Sequence, residues 1–186
     1  MIDLKTKALP DTVLVDGEAF TLNTDYRLWL RFIQEYNQAV RKRETQLADV
    51  SYLFAEEVPE YCDISILLNF ANPPKQLPRP IGERHDVIAY DYDIDADLIF
   101  AGFMEQYKIN LLETDMHWYV FKALFEGLSP ETEIGRVMGY RCYKKSEGRR
   151  DIYADLQKAW RIEYPEELTE EEKKANAEFD SYFIKE

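Results

Sequence analysis

The part of this sequence that most resembles a site for chemistry is a run of aspartates at alternate positions. The segment YDYDIDADLIFAGF, residues 90–103, contains Asp91, Asp93, Asp95 and Asp97. Alternating oxygen ligands at loop positions 1, 3 and 5 are how an EF-hand holds Ca²⁺. Such a loop needs glycine at position 6 and a bidentate glutamate at position 12, but counted from Asp91 these positions hold Ala96 and Gly102. The spacing therefore does not complete a calcium loop.

The aspartate run is better interpreted as the start of a helix. We expect Asp93 or Asp95 to cap this helix and Asp97 to lie in its first turn, where the helix dipole favours negative charge. A metal-dependent enzyme that uses Asp91 and the other three carboxylates stays as an alternative, which calorimetric titration with divalent cations would test. The apolar residues that recur at i, i+4 and i+8 behind the run are Ile99, Phe103 and Tyr107.

The remaining nucleophiles and bases do not form a recognisable catalytic set. His85 and His117 are the only histidines, and Cys62 and Cys142 are the only cysteines. A lone histidine beside aromatic residues, such as His117, is more often packed than catalytic. Neither cysteine has an activating motif or a CxxC spacing, so we expect buried thiols, with a disulfide as the less favoured alternative. No GxGxxG, GxxxxGK[ST], HExxH or GxSxG pattern occurs, so we expect no catalytic residues, no cofactor, no metal and no enzyme activity.

Charge argues against a nucleic-acid partner. The 186 residues carry 23 lysines and arginines against 36 aspartates and glutamates, a formal net charge of −13 at pH 7, which repels phosphates. The exception is RVMGYRCYKKSEGRR, residues 136–150, where cations and tyrosines interleave. We interpret this segment as a surface that pairs with the protein's own acids or with an acidic partner, and a nucleic-acid face is the alternative.

Periodicity predicts a mainly α protein with one short β-hairpin at its N-terminus. TVLV and EAFTL flank Asp16-Gly17, which predicts a hairpin over about residues 12–22. A long helix follows over residues 25–41, with Asn23 or Thr24 as its cap and an apolar stripe made of Tyr26, Trp29, Leu30, Ile33, Tyr36 and Val40. We expect further helices near residues 52–56, 63–70, 98–107, 115–126, 130–140 and 149–161. The aromatic stripe at residues 118–125 is more often core than interface, and Ile152, Leu156 and Trp160 share one face of the last helix.

Composition divides the chain into one domain and a tail. We expect a single mainly helical domain over residues 1–162. It is interrupted at residues 72–80, where four prolines predict a loop. Residues 163–186 hold nine acids and three lysines, so we expect an acidic, marginally helical tail. No apolar run approaches the length of a membrane span, and no secretory signal opens the chain, so we expect a protein of a reducing cytoplasm.

Three blocks of sequence together resemble a known family. They are DYRLWL at residues 25–30, DADLIFAGF at 95–103 with YKINL at 107–111, and MHWYVFKALFEGL at 116–128 with IGRVMGYR at 134–141. In order and spacing these blocks resemble the bacteriophage family named after gene product fifteen, over about residues 10–160. One departure is Asn110, where aspartate is expected.

The resemblance implies a non-catalytic tail assembly chaperone of tailed phages or prophages of Gram-positive bacteria. Such a protein would bind the tape measure protein and assist tail-tube assembly, with the major tail tube protein as a second partner. We expect a homo-oligomer that acts in the host cytoplasm without nucleic acid or membrane and is absent from the mature virion. The alternative from the same context is a head–tail connector or minor tail protein that stays in the virion. No partner-binding residue can be assigned from the sequence.

Overall fold

The computed structural model describes residues 2–44, 49–73, 87–144 and 152–164, and this part of the chain is mainly helical. The predicted fold class, a mostly α protein with an N-terminal β-hairpin, is confirmed. The Pro-rich loop from residue 74 onward and the tail from residue 165 lie outside the described residues. The elements are β1 Thr12–Val15, β2 Glu18–Thr21, α1 Tyr26–Lys42, a 3₁₀ turn Ser51–Leu53, α2 Ile64–Ala71, α3 Ala96–Tyr107, α4 Trp118–Glu126, α5 Glu133–Arg141 and α6 Ile152–Ala159.

The N-terminal hairpin forms where the Asp-Gly signal places it. Strands β1 and β2 pair antiparallel, with Thr12 opposite Thr21. Both turn residues have positive φ, 52° at Asp16 and 89° at Gly17, as a two-residue hairpin turn of this kind requires. Side chains of β1 alternate between the core and the surface, so this strand presents one apolar face to α2.

Helix α1 begins at Tyr26, one residue later than a cap at Thr24 would give. The cap is Asp25, whose carboxylate accepts a hydrogen bond from the Arg27 backbone N–H at 2.9 Å, so the prediction of Asn23 or Thr24 was wrong. The predicted stripe was also wrong at Val40, which is 57% exposed. The fully or nearly buried residues of this helix are Tyr26, Trp29, Phe32 and Ala39.

Aromatic rings fill the centre of the protein. Phe121 of α4 lies between Tyr26 of α1 and Phe103 of α3, with ring centroids 4.7 and 5.3 Å away and near-parallel planes. Trp29 and Trp118 are both completely buried, and each indole N–H donates to a backbone carbonyl. Stacked pairs of this kind add about 0.5–1.5 kcal/mol each beyond the burial of their surface. The aromatic stripe of residues 118–125 is therefore core, as predicted.

Several predicted helices are shorter than the sequence pattern suggests. Helix α5 begins at Glu133 and not near residue 130, because Thr132 caps it. The segment near residues 52–56 forms only a 3₁₀ turn, because its backbone pairs with the chain leaving the hairpin: Asn23 N–H donates to the Leu53 carbonyl and Ala55 N–H to the Thr21 carbonyl. Helix α4 starts at Trp118 and not near residue 115, because His117 caps it.

Helices α5 and α6 pack against each other at the C-terminal end of the described chain. Gly135 lies directly against the preceding turn, where an added Cβ would meet the carbonyl oxygen of Ser129 and, at 2.7 Å, the Cα of Pro130. By contrast, a Cβ at Gly139 of the same helix would meet no atom within 4 Å. Helix α6 has no fully buried residue. On its predicted apolar face Leu156 and Trp160 are partly buried, but Ile152 is 68% exposed.

Candidate functional site

The aspartate run divides into two buried and two exposed residues. Asp93 and Asp97 are exposed, and Asp97 lies in the first turn of α3 as predicted. Asp95 takes the N-cap position, but its side chain makes no capping hydrogen bond, so the predicted cap was wrong in its chemistry. Instead, the Asp91 carboxylate accepts the backbone N–H groups of Asp93 and Ile94, at 2.8 and 3.1 Å, and so closes the turn before the helix.

The Asp95 carboxylate is used in a buried ion pair with Arg141 of α5. The two side chains are 2% and 4% exposed and form two parallel hydrogen bonds of 2.6 and 2.9 Å. Arg141 also donates to the carbonyls of Ala89 and Trp160, at 3.1 and 2.7 Å. One guanidinium therefore joins the segment before α3, helix α5 and the residue after α6.

Asp91 extends this cluster to α1 and to the residue at the C-terminal end of the described chain. Gln34 donates to its Oδ1 at 2.8 Å, and the Tyr164 hydroxyl donates to its Oδ2 at 2.5 Å. Burial acts to raise the pKa of Asp91, but the hydrogen bonds from Tyr164, Gln34 and two backbone amides outweigh it and hold the pKa below its ordinary value. Burial, together with the bond to the Asp91 carboxylate, raises the pKa of Tyr164 to about 12. We call Gln34, Asp91, Asp95, Arg141 and Tyr164 the Asp91–Arg141 network.

His117 caps helix α4 and contacts the N-terminal segment. Its Nδ1 accepts the Tyr119 backbone N–H at 3.0 Å, which leaves Nε2 to donate to the Pro10 carbonyl at 3.0 Å. Burial lowers the pKa of His117, because the charged imidazolium is disfavoured there. His85 lies outside the described residues.

The other candidates for chemistry do not converge on one place. Both cysteines are free thiols, and Cys142 is exposed, so a buried thiol was the wrong expectation there. Across residues 2–44, 49–73, 87–144 and 152–164, no group of three or more His, Cys, Asp or Glu side chains could hold a metal ion.

Of the three cations that the structure describes in the basic segment that begins at residue 136, two pair with this protein's own acids. Arg136 binds Glu133 on the surface of α5, and Arg141 is the buried partner of Asp95. Residues 145–150 lie outside the described part of the chain.

Beside the Asp91–Arg141 network lies an open surface groove. A cavity of about 580 Å³ runs along the second half of α1 to Tyr164, and a second of about 460 Å³ lies against α6. Ile88 lines both, so we treat them as one surface, the α1–α6 groove. Its walls include the apolar residues Ile33, Val40, Val87, Ile88, Tyr90, Tyr92 and Ile162. Its charged residues are Arg41, Lys158 and Arg161, together with Asp91 and Arg141 of the Asp91–Arg141 network.

Exposed apolar side chains and cations make the α1–α6 groove unusual for a chain of net charge −13. Val40, Val87 and Ile88 are 57%, 43% and 42% exposed, respectively. Arg41 stacks on the Tyr164 ring at 3.9 Å, and Arg161 is 3.8 Å from Glu163 on the surface. Apolar contact surface bordered by positive charge suits an acidic, amphipathic polypeptide.

Sequence reasoning missed three members of the Asp91–Arg141 network, Gln34, Arg141 and Tyr164. Arg141 was assigned to a basic surface, although its position beside the buried face of α5 was a signal for burial. Tyr164 carried no signal, because its partner Asp91 is 73 residues away.

The fold and the site define a class of protein: it is mainly helical, with an aromatic core, a buried polar network and a groove bordered by cations. Residues 6–162 match the family model described as bacteriophage Gp15 protein, and the chain belongs to this family. Membership identifies a phage protein of the structural or assembly-related kind. Comparisons with curated proteins and with solved structures returned no match. Among the described residues, no helix is long and apolar enough to cross a membrane.

Proposed function

We propose that this protein is a non-catalytic tail assembly chaperone that binds the phage tape measure protein and assists tail-tube assembly. The observation that carries the proposal is membership of the bacteriophage Gp15 family over residues 6–162, together with the role that the resemblance implies. The Asp91–Arg141 network supports the non-catalytic part, because its buried carboxylates are held by an arginine, a tyrosine and backbone amides that join three segments of the fold.

The α1–α6 groove supports binding of a helical partner. Val40 of α1 and Ile88 of the segment before α3 offer apolar contact on the groove walls, and amphipathic partner helices are commonly held in apolar grooves of this kind. The large negative net charge would keep a complex with an apolar partner in solution. We therefore place the partner contact at this groove.

Co-expression with the tape measure protein of the same phage tests the proposal. We expect the tape measure protein to become soluble and to co-purify with the wild-type chain, and less so with Val40→Glu or Ile88→Asp. Leu112→Glu is the matched control, since Leu112 is 79% exposed and does not line the groove. Solubility of the tape measure protein that does not depend on this chain would contradict the function. Equal co-purification of all variants would contradict the groove alone.

The same proposal includes the place and state of action. The protein would act in the host cytoplasm as a homo-oligomer, without nucleic acid or membrane, and the tail tube protein would be a second partner. Mass spectrometry of purified virions separates a chaperone from a head–tail connector or minor tail protein. The chain should be absent from the particle, and its presence at the level of structural proteins would favour the connector.

A further inference from the structure

The α1–α6 groove begins at the point where the described chain ends. Tyr164 lines the groove, donates to Asp91 at 2.5 Å and carries the Arg41 guanidinium on its ring. The described chain therefore ends at the groove. The 22 residues that follow, PEELTEEEKKANAEFDSYFIKE, are the part of the sequence placed to occupy it first.

The chemistry of these residues matches the groove in charge. Residues 165–186 contain eight acids and three lysines, a net charge of −5. The groove is lined by the cations Arg41, Lys158 and Arg161, and by Asp91 and Arg141, which are held in the Asp91–Arg141 network. Because both sides are partly shielded from solvent when docked, attraction between them is screened less than on an open surface.

The apolar residues of the same segment are within reach of the groove. Phe179, Tyr182 and Phe183 stand at i, i+3 and i+4, which places them on one face of a helix. Fifteen residue steps separate Tyr164 from Phe179, about 22 Å as a helix and about 50 Å when extended. The groove along α1 from Ile33 to Arg41 is about 12 Å long, so the aromatic residues can return to it.

We propose that residues 165–186 dock in the α1–α6 groove of the same chain, with the aromatic residues against Val40 and Ile88 and the acids beside the groove cations. This inference concerns the protein by itself and does not require the proposed function. If that function holds, a partner entering the groove must displace the docked segment.

Hydrogen exchange of the full chain, read by mass spectrometry over peptides within residues 168–186, tests the proposal. We expect wild-type exchange in this segment to be about tenfold or more slower than in an unfolded chain, because docking orders its amides. Val40→Glu, Ile88→Asp and the charge reversal Lys158→Glu should restore fast exchange, while Leu112→Glu should leave the protection unchanged. No tape measure protein is present, so the result is separate from the co-purification test.

Three outcomes would overturn the proposal. The first is fast exchange of residues 168–186 in the wild-type chain. The second is protection that persists in Val40→Glu and Ile88→Asp, which would place the segment elsewhere. The third is protection that disappears on dilution, which would assign the groove to the tail of a second copy.

Discussion

Replacement of Arg141 by methionine should be among the most damaging single changes in this protein. The substitution keeps a long apolar stem but removes both hydrogen bonds to Asp95 and those to the carbonyls of Ala89 and Trp160. Asp95, which is 2% exposed, is then left as a buried charge without its cation. Removing one partner of a buried ion pair typically costs about 3–5 kcal/mol. That cost is a large fraction of the roughly 5–15 kcal/mol by which a whole domain is stable.

The measurement is urea and thermal unfolding of Arg141→Met beside the wild type. For a chain of this size each kcal/mol lowers the melting temperature by about 2–4 °C, so a fall of about 6–20 °C is expected. Arg136→Ala is the control, because its ion pair with Glu133 lies on the surface and should contribute only about 0–1 kcal/mol. The double variant Arg141→Met/Asp95→Asn should lose less stability than the two single variants added together, by about 0.5–3 kcal/mol.

A loss for Arg141→Met no larger than that for Arg136→Ala would refute the reasoning. The Asp95–Arg141 pair would then contribute no more than a solvent-exposed contact. Strictly additive single and double variants would show that the two side chains do not act as a pair.

The other predictions concern one helix and two titrating groups. Gly135→Ala should lower the free energy of unfolding in urea by about 1–3 kcal/mol, because the added Cβ meets backbone atoms. Gly139→Ala should raise it by up to about 1 kcal/mol through helix propensity. Equal effects of the two variants would contradict the close contact at Gly135. Since the pKa of His117 is lowered in the folded state, stability should fall as the pH drops below about 6.5, and His117→Asn, which retains a capping oxygen, should flatten this slope. Since the pKa of Asp91 is also lowered, its contribution should be present above about pH 4 and be lost on further acidification, with a weaker loss in Tyr164→Phe; identical acid limbs would contradict the hydrogen bond.

Local sequence signals predicted the elements that local physics determines. The Asp-Gly pair identified the hairpin because the turn needs two residues with positive φ, and both have it. Periodicity identified α1 to within about a turn, because 17 residues sample the helical period several times. The same periodicity did not identify which stripe is buried, since Val40 and Phe32 both fit an apolar face and only tertiary packing separates them.

The candidate site could not be predicted because its contacts are distant in sequence. A cap at Asp95 is a local expectation, but Arg141, 46 residues away, supplies a stronger interaction for the same carboxylate. The groove depends on how α1, residues 87–92 and α6 lie together, which no window of sequence contains.

The contacts that attach helix α6 to the rest of the protein determine how often this helix detaches. It has no fully buried residue. Gln157 donates to the carbonyls of Arg141 and Tyr143, Arg141 donates to the Trp160 carbonyl, and the Tyr153 ring contacts those of Tyr140 and Tyr143. Detachment of α6 would expose less apolar surface than global unfolding, so it should occur as a local opening with a smaller heat-capacity change and a weaker dependence on denaturant. Lys158 and Arg161 form one wall of the α1–α6 groove. That wall would therefore open at the rate at which α6 detaches, and not at the rate of global unfolding.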